Sequence, residues 1–146
     1  MLIGASAVLA LLILIIGLVS YKSKGPETTP PANEASQQNL NRISSLIHDL
    51  FSVDDKVRIG AYDELIKIQG WQNDPNVLHY LVKFATQNME NLNGIYNTVV
   101  VLNEFKEGAF KVNKNKQEAL KFLEDASTKG PKIAAKAAPL IKKFGN

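Results

Sequence analysis

Three charged residues that share one turn, Asp54, Asp55 and Arg58, are the group whose types and spacing best suit chemistry. Two carboxylates beside a guanidinium group could bind a cation, or one could act as a general acid and the other as a general base. The same residues also suit the start of a helix, because an aspartate there accepts hydrogen bonds from backbone N–H groups that the helix leaves unpaired. We therefore predict that the aspartates cap a helix, and a chemical site is the less favoured interpretation.

The histidines give little support to catalysis or to metal binding. His48 and His79 are the only two in the chain, neither belongs to an HExxH motif, and the chain has no cysteine. The sequence also lacks the motifs GxSxG, GxxxxGK[ST] and GxGxxG, which mark serine hydrolases, phosphate-binding loops and dinucleotide sites. We predict no catalytic, metal-binding or cofactor-binding residue and no small-molecule substrate. A pocket that gathers His48 or His79 with acidic side chains would favour an enzyme instead.

Helical periodicity extends from Asn39 to the end of the chain. Apolar residues recur there at intervals of three and four, which places them on one face of each helix. Helix starts are predicted at Asp54 or Asp55, at Asn73 or Asp74 before Pro75, and at a capping box of Asn115 and Glu118. The run TVVVL (98–102) is also typical of a strand, but helical patterns on both sides favour a helix. The sequence predicts an all-α fold of six helices in three antiparallel pairs, with Pro139 kinking the last helix.

Residues 40–69, LNRISSLIHDLFSVDDKVRIGAYDELIKIQ, resemble one HEAT repeat. That family has an Asp-containing turn between two helices, and its second helix opens with Val-Arg followed by Ala and Leu. Val57, Arg58, Ala61 and Leu65 occupy those positions, and the apolar three are expected to pack on the first helix. The resemblance implies that Arg58 pairs with an acidic group in the neighbouring turn.

The rest of the helical part follows the same layout less closely. Residues 75–105 have two predicted helices but lack the Asp and the Arg, since Tyr96 stands near the place of the Arg. Residues 107–130 are instead similar to half of a Sel1-type or tetratricopeptide-like repeat. Both families form α-solenoids, whose repeats must stack because none buries its apolar face alone. Both mostly bind other proteins, so the resemblance implies a protein-binding scaffold.

The start of the chain predicts a membrane anchor. The run from Leu2 to Ser20 contains no charged residue, Pro, Asn or Gln, and it is long enough to cross a hydrocarbon core of about 30 Å. A cleaved signal peptide is the alternative, but the charged n-region is missing and Leu18 occupies a position where a small residue is wanted. We assign 1–22 to a transmembrane helix, 23–38 to a Pro-rich flexible linker and 39–146 to the helical domain. Lys22 and Lys24 place that domain in the cytoplasm by the positive-inside rule.

Charge is unevenly distributed along the chain. From Lys106 onward there are ten lysines and four acidic residues, a net charge of +6, whereas the rest carries seven basic and ten acidic residues, a net charge of −3. The lysines can form the polar cap of a solenoid end, or they can bind an anionic membrane or an acidic protein. Nucleic acid is the least favoured partner. Four residues are the candidates for an anionic surface: Lys132, Lys136, Lys142 and Lys143.

These features together predict a membrane-anchored scaffold for protein–protein interactions, as an accessory or assembly subunit of a membrane complex. The predicted binding surface is the concave face formed by the second helix of each pair, with Arg58, Tyr62 and Tyr96 as members. Trp71 is predicted to lie wedged between repeats, and it becomes a binding anchor only if it is exposed. The alternative function is a basic C-terminal module that binds an anionic membrane surface or nucleic acid.

Overall fold

The computed structural model describes residues 32–145. Six α-helices and no strand occur in that part of the chain, which confirms the all-α prediction there and makes 98–102 helical. The helices are α1 (Ala32–Asp49), α2 (Asp55–Leu65), α3 (Pro75–Gln87), α4 (Leu92–Leu102), α5 (Asn113–Ser127) and α6 (Pro131–Gly145). Two short 3₁₀ helices, Trp71–Asn73 and Glu107–Phe110, lie in the connections between the pairs.

Short polar side chains fix the starts of three helices. Asp54 Oδ1 accepts a hydrogen bond of 2.8 Å from the backbone N–H of Lys56, and Asp74 does the same for Asn76 before α3. Asn91 caps α4 by accepting from Gly94 N–H at 2.9 Å. Each cap satisfies an N–H group that has no partner inside its helix. The aspartates of the opening motif therefore begin α2, with Asp54 as the cap.

Helix α1 begins at Ala32, seven residues before the helical pattern that the sequence predicts from Asn39. Two expectations about local structure were wrong. Asn115 does not cap α5, because the helix has already begun at Asn113 and the buried Asn115 side chain donates to the carbonyl of Pro75 at 2.7 Å. Val57 does not pack on α1, since none of residues 55–60 is buried and the buried part of α2 starts at Ala61. Helix α6 continues through Pro139.

The first and second helices of the pairs form two layers. In one layer α3 packs on α5, and in the other α4 packs on α6. Ser44 and His48 of α1 reach Tyr80 of α3 at 2.8 and 2.7 Å, which joins the first pair to the same layer. Within pairs, α3 packs on α4 and α5 packs on α6. This six-helix bundle is compatible with an α-solenoid.

The buried core continues through all three pairs. Where the first pair meets the second, Asn91 and Asn97 donate to the carbonyls of Phe51 and Leu50 at 2.7 and 2.9 Å. A row of aromatic rings lies farther along: Trp71 meets Phe105 edge-on at 4.9 Å, and beyond it Phe110 and Phe144 have centroids 4.5 Å apart. Burial of these rings supplies much of the apolar area that holds the pairs together.

The predicted membrane anchor, residues 1–22, lies outside the described residues, as does the linker up to residue 31. Among the helices between Ala32 and Gly145, none is both long enough and apolar enough to span a membrane.

Candidate functional site

The opening motif forms a compact structural turn. Arg58 Nη1 donates to the carbonyl of Ser52 at 2.6 Å, and Nη2 pairs with Asp55 one turn earlier on α2. The Arg58 side chain is only 12% exposed. Its donors therefore fix the connection between α1 and α2, and Asp54 is engaged as the cap. The cap interpretation of the motif accounts for all three residues.

A groove of about 340 Å³ lies between α2 and α4. It brings together Arg58, Tyr62 and Tyr96, the three residues that the sequence assigned to the binding surface of the second helices. Ile59 lies beside them and is 63% exposed. Two tyrosines and an aliphatic side chain therefore line this groove together with two asparagines, and its only charged groups are already paired with each other.

A second groove, of about 640 Å³, lies between α4 and the start of α6. Leu92, which is 51% exposed, and Lys132 lie on its wall. Asn93 and Tyr96 line both grooves, so the two adjoin at α4. We call the combined surface, with Ile59 and Tyr62 at one edge, Tyr96 in the middle and Lys132 at the other edge, the second-helix face.

Charge on the second-helix face is confined to its edges. Helix α4, which forms the centre, contains no charged residue between Leu92 and Leu102. Helix α6 contains lysines and no acidic residue. Its four lysines are exposed, and none forms an ion pair with any residue from 37 to 145. These are the predicted anionic-surface candidates, Lys132, Lys136, Lys142 and Lys143.

The phenol of Tyr62 stays neutral over the physiological pH range. Burial raises its pKa above the usual value, and the negative charges of Glu104 and Asp63 raise it further, as does a hydrogen bond to Glu104. Each of these effects disfavours the phenolate. Tyr62 therefore presents a neutral aromatic ring at the α2 edge of the face, with its hydroxyl engaged by Glu104.

Trp71 does not belong to this surface. It is 2% exposed and lies edge-on against Phe105. Gly70 precedes it with φ of 86°, a left-handed conformation that glycine adopts at little cost and that turns the indole into the core. Trp71 is therefore buried in the connection between α2 and α3, and its indole is not exposed to a partner.

A separate groove of about 530 Å³ lies in the other layer, between α3 and α5. His79 Nδ1 is 2.9 Å from Glu118 Oε2 across it, and Val82 and Phe122 are among the residues that line it. We call this surface the first-helix groove. No local pattern predicts this pair, because His79 and Glu118 are 39 residues apart and lie on different helices.

The first-helix groove gathers a histidine with acids, which is the arrangement expected to favour an enzyme. Its polar groups, however, are engaged with one another. Lys114 lies 3.7 Å from Glu118, Lys121 lies 3.0 Å from Asp125, and the Thr86 hydroxyl donates to the carbonyl of Val82 at 2.8 Å. A hydroxyl held in this way is not aimed at the imidazole as a nucleophile would be. The His79–Glu118 pair in this groove therefore links α3 to α5.

His48 is a rim histidine. Its Nε2 is 2.7 Å from the Tyr80 hydroxyl, and its ring stacks on Phe84 with centroids 4.2 Å apart. Neither histidine contributes to a metal-binding cluster of three ligating side chains in the described part of the chain.

Compared with known proteins, the chain matches no family model, no curated protein and no solved structure. Its resemblance to HEAT and tetratricopeptide-like repeats is therefore carried by the sequence motif and the layered helices alone.

Proposed function

We propose that this protein is a membrane-anchored scaffold that binds a protein partner through its second-helix face, as an accessory or assembly subunit of a membrane complex. One observation carries the proposal. Two adjoining grooves lie between three helices, with tyrosines and exposed aliphatic side chains along them and no charged residue on the central helix.

This distribution matches the anatomy of protein interfaces. Their centres are depleted of charge and enriched in Tyr and Arg, and their rims are polar. Tyr62, Tyr96, Ile59 and Leu92 supply the apolar area, whereas Lys132 lies at the rim. A small-molecule site would more often be a single enclosed cavity with convergent polar groups, which neither of these open grooves provides.

The proposed architecture is an α-solenoid whose first pair is HEAT-like. Two features support it: Asp54 caps the second helix of that pair, and Arg58 pairs with Asp55 at the turn. The arrangement of first and second helices in separate layers is also what stacked repeats produce. Residues 2–20 are the proposed anchor, with the helical domain in the cytoplasm.

The test is capture of partners by the full-length protein from membranes dissolved in mild detergent. We expect a set of proteins that persists at high salt, because apolar contacts are not screened. Replacing Ile59 and Tyr96 by arginine should remove that set. Thr86→Arg is the matched control, because Thr86 is exposed and lines only the first-helix groove. Loss with Thr86→Arg, or retention with the double variant, would refute the proposed surface.

The alternative function is a basic module that binds an anionic membrane, and the unpaired lysines of α6 favour it. Electrostatic attachment of this kind weakens steeply with salt. It also responds to any lysine near the surface, wherever that residue lies on the helix. Vesicle binding that falls equally with Lys132→Glu and Lys143→Glu would support this function over the scaffold.

A further inference from the structure

The two edges of the second-helix face differ in the charge that is left for a partner. At the α2 edge, Arg58 is committed to Asp55 and to the carbonyl of Ser52. Among the acids nearby, Glu64 pairs with Arg42 at 3.1 Å. The exposed Asp63 and the half-buried Glu104, in contrast, form no ion pair with the described residues. The charge that the α2 edge leaves for a partner is therefore negative.

At the α6 edge the charge is mostly positive and largely unpaired. Lys132 lines the groove, and Lys136 follows one turn later on the same side of α6. Among the described residues neither has an acidic neighbour within ion-pair distance, and no acidic residue lines the α4–α6 groove. Lys129, also on the wall, contacts only Glu90, whose side chain is 97% exposed and which is held loosely at 3.4 Å.

From this asymmetry we infer that the partner of the second-helix face is an acidic protein segment, with its carboxylates against Lys132 and Lys136 and its apolar side chains over Tyr96 and Ile59. The inference rests on the proposed function and specifies the chemistry of the partner. A partner without acids would leave two cations beside an apolar interface unpaired, which costs affinity.

The spacing of the two lysines also constrains the segment. Four residues of helix separate their Cα atoms by about 6 Å along α6. Carboxylates four residues apart on a helix, or two residues apart on an extended strand, span about 6 to 7 Å. The expected signature in the partner is therefore a pair of acidic residues at one of these spacings, next to aliphatic or aromatic residues.

The experiment selects binders from a random library of short displayed peptides. The bait is the full-length protein in nanodiscs of neutral lipid, so that anionic headgroups do not compete. We expect the enriched peptides to combine paired acids with apolar residues. Reversing the charge with Lys132→Glu and Lys136→Glu should weaken them about tenfold or more. The matched control, Lys142→Glu with Lys143→Glu, makes the same change about 13 Å farther along the helix and should have little effect.

The outcomes separate the inference from the proposed function. If Tyr96→Arg abolishes peptide binding but charge reversal at Lys132 and Lys136 does not change it, the inference of an acidic partner is wrong. The proposed binding face then still stands. If Tyr96→Arg removes no selected peptide, both fail. Vesicles containing phosphatidylserine are measured in parallel. The inference is wrong if the vesicles bind, if the substitutions at both lysine pairs weaken vesicle binding equally, and if no peptide is enriched. The lysines then bind a membrane surface.

Discussion

The first-helix groove and the second-helix face lie in different layers of the same helical domain, and they use their charged residues differently. In the first-helix groove, His79 meets Glu118 across two helices, and Lys114 and Lys121 pair with acids on their own helix. On the second-helix face the central helix has no charge, and the lysines of α6 have no acidic neighbour among the described residues.

This difference assigns stability to the first-helix groove and partner binding to the second-helix face. Groups that are already paired gain little from a partner, because a new contact must first replace an existing one and desolvate it. Exposed aliphatic side chains and unpaired cations gain from being covered. We therefore expect substitutions in the first-helix groove to change the free energy of unfolding, and substitutions on the second-helix face to change partner affinity.

Trp71→Ala is expected to have the largest effect of all, on the free energy of unfolding. It serves as the reference for a variant that loses stability. Removing a fully buried indole leaves a cavity beside Phe105 and should lower the free energy of unfolding by about 3 to 5 kcal/mol. Chemical denaturation followed by circular dichroism measures the change. Trp71→Phe refills part of the space and should lose clearly less. If both variants are as stable as the parent, the aromatic core is not where the structure places it.

Ile59→Arg combined with Tyr96→Arg should lower partner affinity by about 2 kcal/mol, roughly thirtyfold. Their cost to the free energy of unfolding should stay within about 1 kcal/mol, because Ile59 is mostly exposed and Tyr96 only half-buried. Titration of the captured partner measures the first quantity and denaturation the second. A loss of affinity that tracks a loss of stability would remove the distinction between the two surfaces.

Asn115→Ala should lower the free energy of unfolding by about 1 to 3 kcal/mol. The buried amide donates to the carbonyl of Pro75, and the substitution leaves that acceptor without its partner between α3 and α5. Asn113→Ala is the control, because Asn113 is exposed at the first position of the same helix. Equal effects from the two variants would contradict the buried contact.

Glu118→Gln should have the smallest effect, a loss of at most about 1 kcal/mol from the free energy of unfolding. The carboxylate links α5 to His79, but both side chains are partly exposed, so solvent weakens the pair. Partner affinity should not change. A Glu118→Gln variant that folds normally but loses partner binding would transfer the binding role to the first-helix groove.

Local features of the fold could be predicted because they depend on residues close in sequence. The caps at Asp54 and Asp74 follow from the preference of aspartate for helix starts. Helix α4 was predictable despite its β-branched run because the neighbouring periodicity was helical. Arg58 and Tyr62 share a groove since residues four apart lie on one side of a helix.

Features that depend on the packing of distant segments could not be predicted. Asn115 matches a capping box in sequence, but its buried side chain donates to the carbonyl of Pro75 in α3 instead. The His79–Glu118 pair requires the relative rotation of two helices, which a single sequence does not encode in any local pattern. The same holds for Val57, whose spacing is that of a core residue. Its exposure is 40%, because α2 is buried only from Ala61 onward.

The most direct test of the binding face is photo-cross-linking of the full-length protein in its native membrane. A photoreactive phenylalanine derivative replaces Tyr96 in one variant and Thr86, in the first-helix groove, in the other. The proposed function predicts discrete protein adducts from position 96 and none from position 86. Adducts from position 86 alone, or only lipid adducts from position 96, would contradict it.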